Sequence, residues 1–418
     1  MARPRKNADK AQNSLLTPDE VAEVPVEEQP YPLPEGWKWV RLGDALHLQA
    51  GKNISARDIH SEKTDEFPYP CFGGNGIRGY VSEYNREGNF PLIGRQGALC
   101  GNIKFASGKF YATEHAVAVS GKLPHEITWV SYCLRNMNLN QYATATAQPG
   151  LAVSTLNQLP FPYPPFGEQQ RIVDRIESLF AKLDEAKAKA EAVLDGFEIR
   201  KAAILHKAFT GVVTAKWREE KGFSFDSWKK ICLGKILKVS SGKGLTSKNM
   251  DNSGKIPVYG GNGITGYHNQ SNVVKNTIVI GRVGYYCGSV HYIKKEAWVT
   301  DNALIVSFDR NKFESNFLFY LLLHTDLRQN DSSTAQPVIS GSKIYPIEIT
   351  ITTNILEQQK IVRILDSLFA KEQQVKEAAE TVLHQLKLMK KAILARAFRG
   401  ELGTHGSARD TLQNNGSM

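Results

Sequence analysis

The sequence contains few cysteines, and their spacing excludes the two structures that cysteines most often build. Five occur among 418 residues, and no two are separated by only two residues. The pattern therefore favours neither a zinc site nor a disulfide framework. Cys100 and Cys287 are each followed by glycine, and we expect both to be small buried residues in a tight strand.

Long apolar runs and a signal segment are also missing. The longest apolar run, near Phe317–Leu323, is much shorter than the roughly 20 residues that a membrane-spanning helix needs. The first residues are polar and basic, and no apolar signal core follows them. The expectation is a reduced, cytoplasmic protein with no membrane segment.

Catalytic motifs are absent as well. There is no P-loop, no HExxH or GxSxG, and no Asn/Asp-Pro-Pro-Tyr/Phe tetrapeptide of adenine methyltransferases. Gly74–Gly79 and Gly261–Gly266 satisfy GxGxxG, but Pro68 and Pro70 precede the first copy and Tyr80 continues it as extended chain. This context favours a glycine-rich turn that carries side chains to a surface over a dinucleotide site. We expect a recognition scaffold with no catalytic residues and no metal.

The sequence does contain an internal duplication. Gly73–Tyr80 returns as Gly260–Tyr267, and Ser178–Ala181 returns as Ser367–Ala370. A chain of this length exceeds one core, and a duplicated chain builds two like units related by a pseudo-twofold. Two like units suit a target that is itself in two halves, of which DNA is the commonest. The formal net charge of +10 is compatible with a polyanionic partner.

Each copy consists of a β-rich domain followed by a long helix, which predicts an α+β fold. Short apolar runs broken by turn residues predict strands at 92–93, 116–119, 278–280 and 303–306, and short helices at 129–134 and 317–323. The predicted order is a flexible leader (1–32), β-rich domain 1 (33–163), long helix 1 (164–211), a linker (212–223), β-rich domain 2 (224–352), long helix 2 (353–402) and a flexible tail (403–418).

The long helices carry an apolar stripe with the alternating four- and three-residue spacing of a coiled-coil seam. Its apolar members are Ile172, Ile176, Leu179, Leu183, Val193, Phe197 and Ile204 in the first helix, and Ile361, Leu365, Leu368, Val375, Val382, Leu386 and Ile393 in the second. Alanines at 186, 190 and 379 would allow close approach, and Glu372 and Arg200 are polar departures. The stripes predict an intramolecular antiparallel pair of helices about 40 residues long, or roughly 60 Å. Antiparallel helices would place the two domains at opposite ends of a spacer.

The helix ends carry capping signals. Asn354 with Glu357 resembles a capping box, and Gly211 and Gly400 stand where a glycine commonly follows a helix.

These residues resemble the specificity subunit of type I restriction–modification systems over about residues 33 to 402. The most specific marks are Gly167–Val173 with Leu356–Val362, then the Lys-x-x-Ile-Leu-x-x-Ala-Phe-x-Gly helix endings at 201–211 and 390–400, then the two Gly-Gly-Asn-Gly-Ile-x-Gly-Tyr loops.

The resemblance implies a non-catalytic subunit. Two target-recognition domains would each read half of a bipartite double-stranded DNA site, and the helices would set the spacing and dock two methyltransferase (M) subunits, which restriction/translocase (R) subunits then join. The partners would use S-adenosylmethionine, ATP and Mg²⁺, and this chain would bind no cofactor.

Recognition of DNA needs donors to phosphates and side chains that reach base edges. Polar residues in glycine-rich loops at repeat-equivalent places are the candidates in each domain. They are Lys52, Asn75, Arg78, Tyr80, Arg95, Gln96, His115, Gln148 and Ser154 in the first, and Lys243, Lys248, Asn262, Thr265, Tyr267, Arg282, Asn302, Gln336, Ser340 and Lys343 in the second.

Residues that both copies share suit phosphate contacts or the fold. Residues that differ, Arg78 with Thr265 and His115 with Asn302, suit base choice, because the halves should read different sequences.

Two other functions are compatible with the composition. A fused restriction–methyltransferase protein would need nuclease and cofactor motifs, and no segment remains to hold them. A coiled-coil adaptor with two protein-binding modules needs no motif, and the salt dependence of binding separates it from a DNA-binding protein.

Overall fold

The computed structural model describes residues 15–144, 149–251, 253–330 and 337–404. It divides into two compact units, each with its own core. Unit 1 comprises residues 1–188 with 382–418, and unit 2 comprises residues 189–381. The boundaries between the units therefore fall inside the long helical segments.

Unit 1 contains a β-rich domain and parts of two long helices. Its strands are β1 (Lys38–Arg41), β2 (Leu46–Ala50), β3 (Tyr69–Gly73), β4 (Gly76–Val81), β5 (Arg86–Glu87), β6 (Phe90–Gly94), β7 (Ile103–Ala106), β8 (Lys109–Ala112), β9 (Ala116–Gly121) and β10 (Pro160–Tyr163). Its helices are α1 (Leu42–Ala45), α2 (Ile127–Asn136), α3 (Val153–Asn157) and most of the long α4 (Phe166–Asp195).

Unit 2 repeats this plan. Its helices are α5 (Phe197–Phe209), α6 (Ala215–Lys221), α7 (Ser315–His324), α8 (Gly341–Ile344) and the first part of α9 (Ile355–Ala397). Its strands are β11 (Trp228–Cys232), β12 (Leu237–Ser241), β13 (Ile256–Gly260), β14 (Gly263–His268), β15 (Thr277–Gly281), β16 (Val290–Ile293), β17 (Trp298–Val299), β18 (Ala303–Phe308) and β19 (Glu348–Thr352).

The strand orders confirm the duplication. Unit 1 has sheets ordered β2-β9-β6-β7, β4-β3-β8-β5 and β1-β10, and unit 2 has β12-β18-β15-β16, β14-β13-β17 and β11-β19. Hairpins β3–β4 and β13–β14 even share a register shift at the same place. The α+β class, the repeat and the predicted strands and short helices are confirmed.

The helix endings of the repeat pack on the short helix of each domain. In unit 1, Phe398 just after α9 meets Trp129 of α2 with ring centroids 5.9 Å apart. In unit 2, Phe209 of α5 meets Phe317 of α7 at 5.4 Å. Trp129, Phe317 and Phe398 are fully buried. The Ala-Phe-x-Gly endings therefore anchor helices to domains, and Gly211 and Gly400 adopt the predicted left-handed conformation.

Within each unit the long helices run antiparallel, as predicted. In unit 1, Lys390 of α9 forms an ion pair with Asp184 of α4 at 2.6 Å. In unit 2, Arg200 of α5 forms an ion pair with Glu372 of α9 at 2.8 Å. A second contact in each unit sets the direction: in unit 1, Arg171 Nε donates to Thr404 O at 2.9 Å, and in unit 2, Lys376 Nζ lies 5.1 Å from the ring centroid of Phe197. Within each unit one partner therefore advances along the chain while the other goes back.

The first long helix is interrupted at Gly196, whereas an unbroken helix was predicted. The Arg200 guanidinium donates to the carbonyl oxygen of Val193 at 2.9 Å. A Cβ atom at Gly196 would lie 2.5 Å from Arg200 Nη1. Glycine weakens a helix, and here it leaves the space through which Arg200 reaches back.

The predicted seam is only partly buried. Ile172, Ile176, Ile361, Leu365 and Leu386 are buried. Val375 and Val382, in contrast, are 45% and 39% exposed. A strict seven-residue repeat drifts by about 20° per heptad on a straight helix, so one neighbouring helix does not cover the whole stripe.

Residues within the predicted flexible leader pack against unit 1. Residues 1–14 lie outside the described residues, but Val24 is 2% exposed and its amide donates to Trp39 O at 2.8 Å. Tyr31 donates its hydroxyl to the carbonyl of Phe398 at 2.9 Å. A flexible leader over 1–32 is therefore wrong for residues 15–32, because these apolar and aromatic side chains dock on unit 1.

The predicted linker is also ordered, with α6 at its centre. Arg218 of α6 is buried and donates to Glu357 of α9 at 2.6 Å. Thr214 and Trp228 also donate to this carboxylate. Burial by itself raises the pKa of Glu357, but these hydrogen bonds outweigh it and hold the pKa of this carboxyl below its ordinary range.

Only one half of the predicted capping box is present, the half formed by Asn354. Asn354 Oδ1 does accept from the amide of Leu356 at 2.9 Å. Glu357 does not return a bond to the Asn354 backbone, because its carboxylate is committed to Arg218 and its neighbours.

A Glu-Gln-Gln sequence occurs at residues 168–170 and again at 357–359. Its first glutamine holds the start of each long helix against the preceding domain. Gln169 Oε1 accepts from the amide of Glu126 at 2.9 Å, and Gln358 Oε1 accepts from the amide of Glu314 at 2.9 Å. Glu126 and Glu314 are the N-caps of α2 and α7. The motif therefore ties each long helix to the domain that precedes it in the chain.

Candidate nucleic-acid interface

Three glycine-rich loops meet at one place in the first β-rich domain. They are the β3–β4 turn with Gly74, the loop after β6 with Arg95, and the loop before β9 with His115. The amide of Arg95 donates to the carbonyl of His115 at 2.9 Å. A Cβ atom at Gly94 would collide with the carbonyl oxygen of Gly74. Only glycine permits this approach, which brings Asn75, Arg95 and His115 together.

The second domain builds the same junction. The amide of Arg282 donates to the carbonyl of Asn302 at 2.9 Å. A Cβ atom at Gly281 would collide with the carbonyl oxygen of Gly261. Asn262, Arg282 and Asn302 therefore lie on neighbouring loops, as their counterparts do in the first domain.

A lysine borders each junction. The amide of Lys52 donates to Ala112 O at 3.0 Å, and that of Lys243 donates to Val299 O at 2.9 Å. Gly51 and Gly242, just before these lysines, each lie against the same backbone so closely that a side chain would not fit. Both lysine side chains are exposed, which leaves them in contact with solvent beside the junction.

The two shared arginines use their guanidinium groups to hold loops together. Arg95 Nε donates to Leu151 O at 3.4 Å. Arg282 Nη1 donates to Ser241 Oγ at 3.2 Å and to Asp301 O at 3.4 Å. Such contacts suit residues that position the interface, in agreement with their presence in both copies.

The side chains of other candidate residues contact polar groups of their own domain. Asn75 Oδ1 accepts from Asn102 Nδ2 at 2.8 Å. His115 Nε2 lies 3.1 Å from Glu114 Oε1, so one ring nitrogen has a partner within the domain. Lys343 Nζ donates to Val338 O at 2.8 Å, and Ser340 Oγ lies 2.8 Å from Ser342 Oγ.

One pair of residues that differs between the copies lies on the second strand of each hairpin. Arg78 of β4 and Thr265 of β14 are both exposed. Tyr267 is 46% exposed, and Tyr80 is half-buried. Gln96, Ser154 and Lys248 are also exposed. Gln148 and Gln336 lie outside the described residues.

Sequence reasoning missed several exposed apolar residues at these loops. Leu99 is 56% exposed, Tyr285 84% and Tyr286 51%. Ile77 and Ile264, next to the hairpin turns, are 56% and 52% exposed. The sequence did contain one sign of these residues. After the Arg-x-Gly that both copies share, the first copy has Ala98-Leu99 and the second has Tyr285-Tyr286.

No group of three or more residues that could hold a metal ion occurs among the described residues. Cys100 and Cys287 are buried at equivalent places, as predicted, but they lie in turns, so their predicted placement in a strand is wrong. The five cysteines are free. No helix in the described part of the chain is long and apolar enough to span a membrane.

Comparison with known proteins identifies the family. A family model described as the type I restriction modification DNA specificity domain matches residues 34–194 and again residues 226–382. The chain belongs to this family. The two matched ranges cover the two halves of the duplication, so the repeat seen in the sequence and in the sheets is a pair of such domains.

Individual relatives agree with this assignment. The type I restriction enzyme EcoprrI specificity subunit of Escherichia coli is 48% identical over 147 residues, which cover 34% of this chain and 37% of that protein. The EcoDI specificity subunit of Escherichia coli is 22% identical over 413 residues, covering 88% and 89%.

A solved structure shares the fold. It comes from work on complex assembly and conformational transition of the type I R-M system. Its TM-score is 0.66 at 19% sequence identity, with 89% of this chain and all of that chain covered.

Proposed function

We propose that this chain is the DNA specificity subunit of a type I restriction–modification complex and is not itself a catalyst. The observation that carries the proposal is the duplicated junction of glycine-rich loops. Its backbone is alike in both domains, whereas exposed side chains such as Arg78 and Thr265 differ. That combination suits a bipartite DNA site whose two halves have different sequences.

The remaining parts of the proposal follow from the family. Each domain, with limits near 33–163 and 224–352, reads one half-site. The paired helices set the gap between half-sites and dock two methyltransferase subunits, and restriction/translocase subunits join the complex. S-adenosylmethionine, ATP and Mg²⁺ act in those partners, and the complex works in the cytoplasm. The adaptor alternative is not favoured, because the family is defined by DNA specificity.

Methylation mapping tests the proposal. Genomic DNA from host cells with and without this chain, in the presence of its partner methyltransferase, is sequenced with detection of methylated bases. We expect a split motif with a fixed gap only where the intact chain is present. A continuous motif, or methylation that does not depend on the chain, would contradict the proposal.

A further inference from the structure

Two short loops, one in each domain, have the same internal hydrogen bonds. Loop A is residues 94–102, and loop B is residues 281–289. Gly94 N donates to Asn102 O at 2.9 Å and Gly101 N to Gly94 O at 2.7 Å. The counterparts in loop B, Gly281 N to Ser289 O and Gly288 N to Gly281 O, are both 2.8 Å. The ends of each loop are therefore closed in the same way.

A second backbone segment anchors the other side of each loop. The amide of Gly97 donates to Pro149 O at 3.0 Å, and that of Gly284 donates to Pro337 O at 3.1 Å. Gly97 and Gly284 have φ of +81° and +82°, a conformation that favours glycine. Cys100 and Cys287 insert into the core behind the turns. Both loops are thus preformed and share one backbone shape.

The tips of the loops differ in chemistry. Ala98 and Leu99 form the tip of loop A, and Tyr285 and Tyr286 form the tip of loop B. All four are exposed, and the Tyr285 and Tyr286 rings lie 5.0 Å apart at 86°. Side chains this exposed add little to the core, and exposed apolar groups commonly mark a binding surface.

The tips belong to the junctions described above. Ser289 Oγ of loop B donates to the carbonyl of Gly261 at 2.9 Å. Asn102 of loop A donates to Asn75 at 2.8 Å. Each loop is therefore hydrogen-bonded to the hairpin turn that precedes the exposed Arg78 or Thr265.

We propose that the two loop tips are base-contacting specificity determinants, one for each half-site. This rests on the proposed function. A common backbone fixes how closely each loop approaches the DNA, so base choice depends on the side chains at the tip. Ala98 and Leu99 offer only apolar contact, as with the thymine methyl group, whereas Tyr285 and Tyr286 add hydroxyl groups that donate and accept hydrogen bonds.

The test converts one tip into the other. The double variant Tyr285→Ala/Tyr286→Leu, as full chain with its partner subunits, is compared with wild type by methylation mapping and by competition between DNA duplexes. Discrimination at one or two base pairs of a single half-site should fall on the order of ten- to a hundredfold. The other half-site and the gap should stay the same. The reciprocal variant Ala98→Tyr/Leu99→Tyr should alter only the other half-site.

A matched control keeps the outcomes distinct. Val274 is 66% exposed in the same unit but outside loop B, so Val274→Ala should leave the motif unchanged. Thermal unfolding should show that all variants fold. If wild type gives a split motif and the Tyr285/Tyr286 variant gives the identical motif, the inference is wrong while the proposed function stands. A uniform loss of affinity on all duplexes also overturns it. Absence of a split motif in wild type instead rejects the proposed function.

Discussion

Arg78 and Thr265 occupy matching positions in two hairpins that share a register, and both are exposed. Sequence comparison of the copies could identify this pair, because the surrounding glycines align without ambiguity. The comparison also shows that Tyr285 and Tyr286 differ from their counterparts, but it could not show that they are exposed, since a tyrosine side chain can pack in a core or face solvent. Their exposure depends on a turn whose anchors, Pro337 and Gly261, are distant in sequence.

Arg78→Ala should relax specificity in one half-site. An arginine that contacts a base contributes about 1–3 kcal/mol of discrimination, and that contribution would vanish at one base pair. Competition binding with duplexes substituted at each position measures it. The matched change Thr265→Ala should affect only the other half-site. If Arg78→Ala weakens binding equally on every sequence, Arg78 contacts phosphate and the assignment to base choice is wrong.

At the scale of elements, the sequence predicted both long helices but not which of their residues pair with each other. The polar departures Arg200 and Glu372 were visible as irregularities on an apolar stripe. Their pairing was not, because the register of two antiparallel helices is set by packing that no single helix encodes. In the sequence repeat, the counterparts of Glu372 and Arg200 are Leu183 and Met389, which are both apolar.

The start of α9 depends on the buried pair of Glu357 and Arg218. Glu357→Gln leaves the Arg218 cation buried without its carboxylate, and breaking such a pair costs roughly 3–5 kcal/mol. Because the folded-state pKa of Glu357 is depressed, its stabilisation is present above the ordinary value of about 4.3 and is lost as pH falls through the folded-state pKa. Denaturant unfolding at neutral and acidic pH measures the difference between wild type and variant, which should shrink in acid.

An exposed pair serves as the control for this experiment. Lys230 and Glu348 lie 2.6 Å apart at the surface of the same unit, so Glu348→Gln should hardly change the unfolding midpoint. A Glu357→Gln difference that is equally large at every pH would show that the charge of Glu357 contributes nothing.

For the whole molecule, the duplication and the family could be predicted from the sequence, because motifs recur in order along the chain. The packing of residues 15–32 and the order in the linker could not, since each depends on partners far away in sequence, such as Phe398 and Glu357.

The salt dependence of binding tests the whole molecule as a DNA-binding protein. The logarithm of the association constant should fall linearly with the logarithm of salt concentration, because phosphate contacts release counterions. Lys243→Ala should weaken binding alike on all sequences and reduce the slope by about 1. The exposed Lys216 of α6 is the control, and Lys216→Ala should leave the slope unchanged. A binding constant insensitive to salt would favour the adaptor.

The division of the long helices between the two units has a consequence for biosynthesis. The core of unit 1 includes Ala397 and Phe398, which leave the ribosome after all of unit 2. Unit 2, in contrast, is one contiguous stretch, residues 189–381. Domains generally fold as they emerge, but here the domain translated first waits for the last turn of α9. Until α9 is complete, the aromatic core around Trp129 lacks Phe398, so unit 1 should reach its native packing only after unit 2 has been translated.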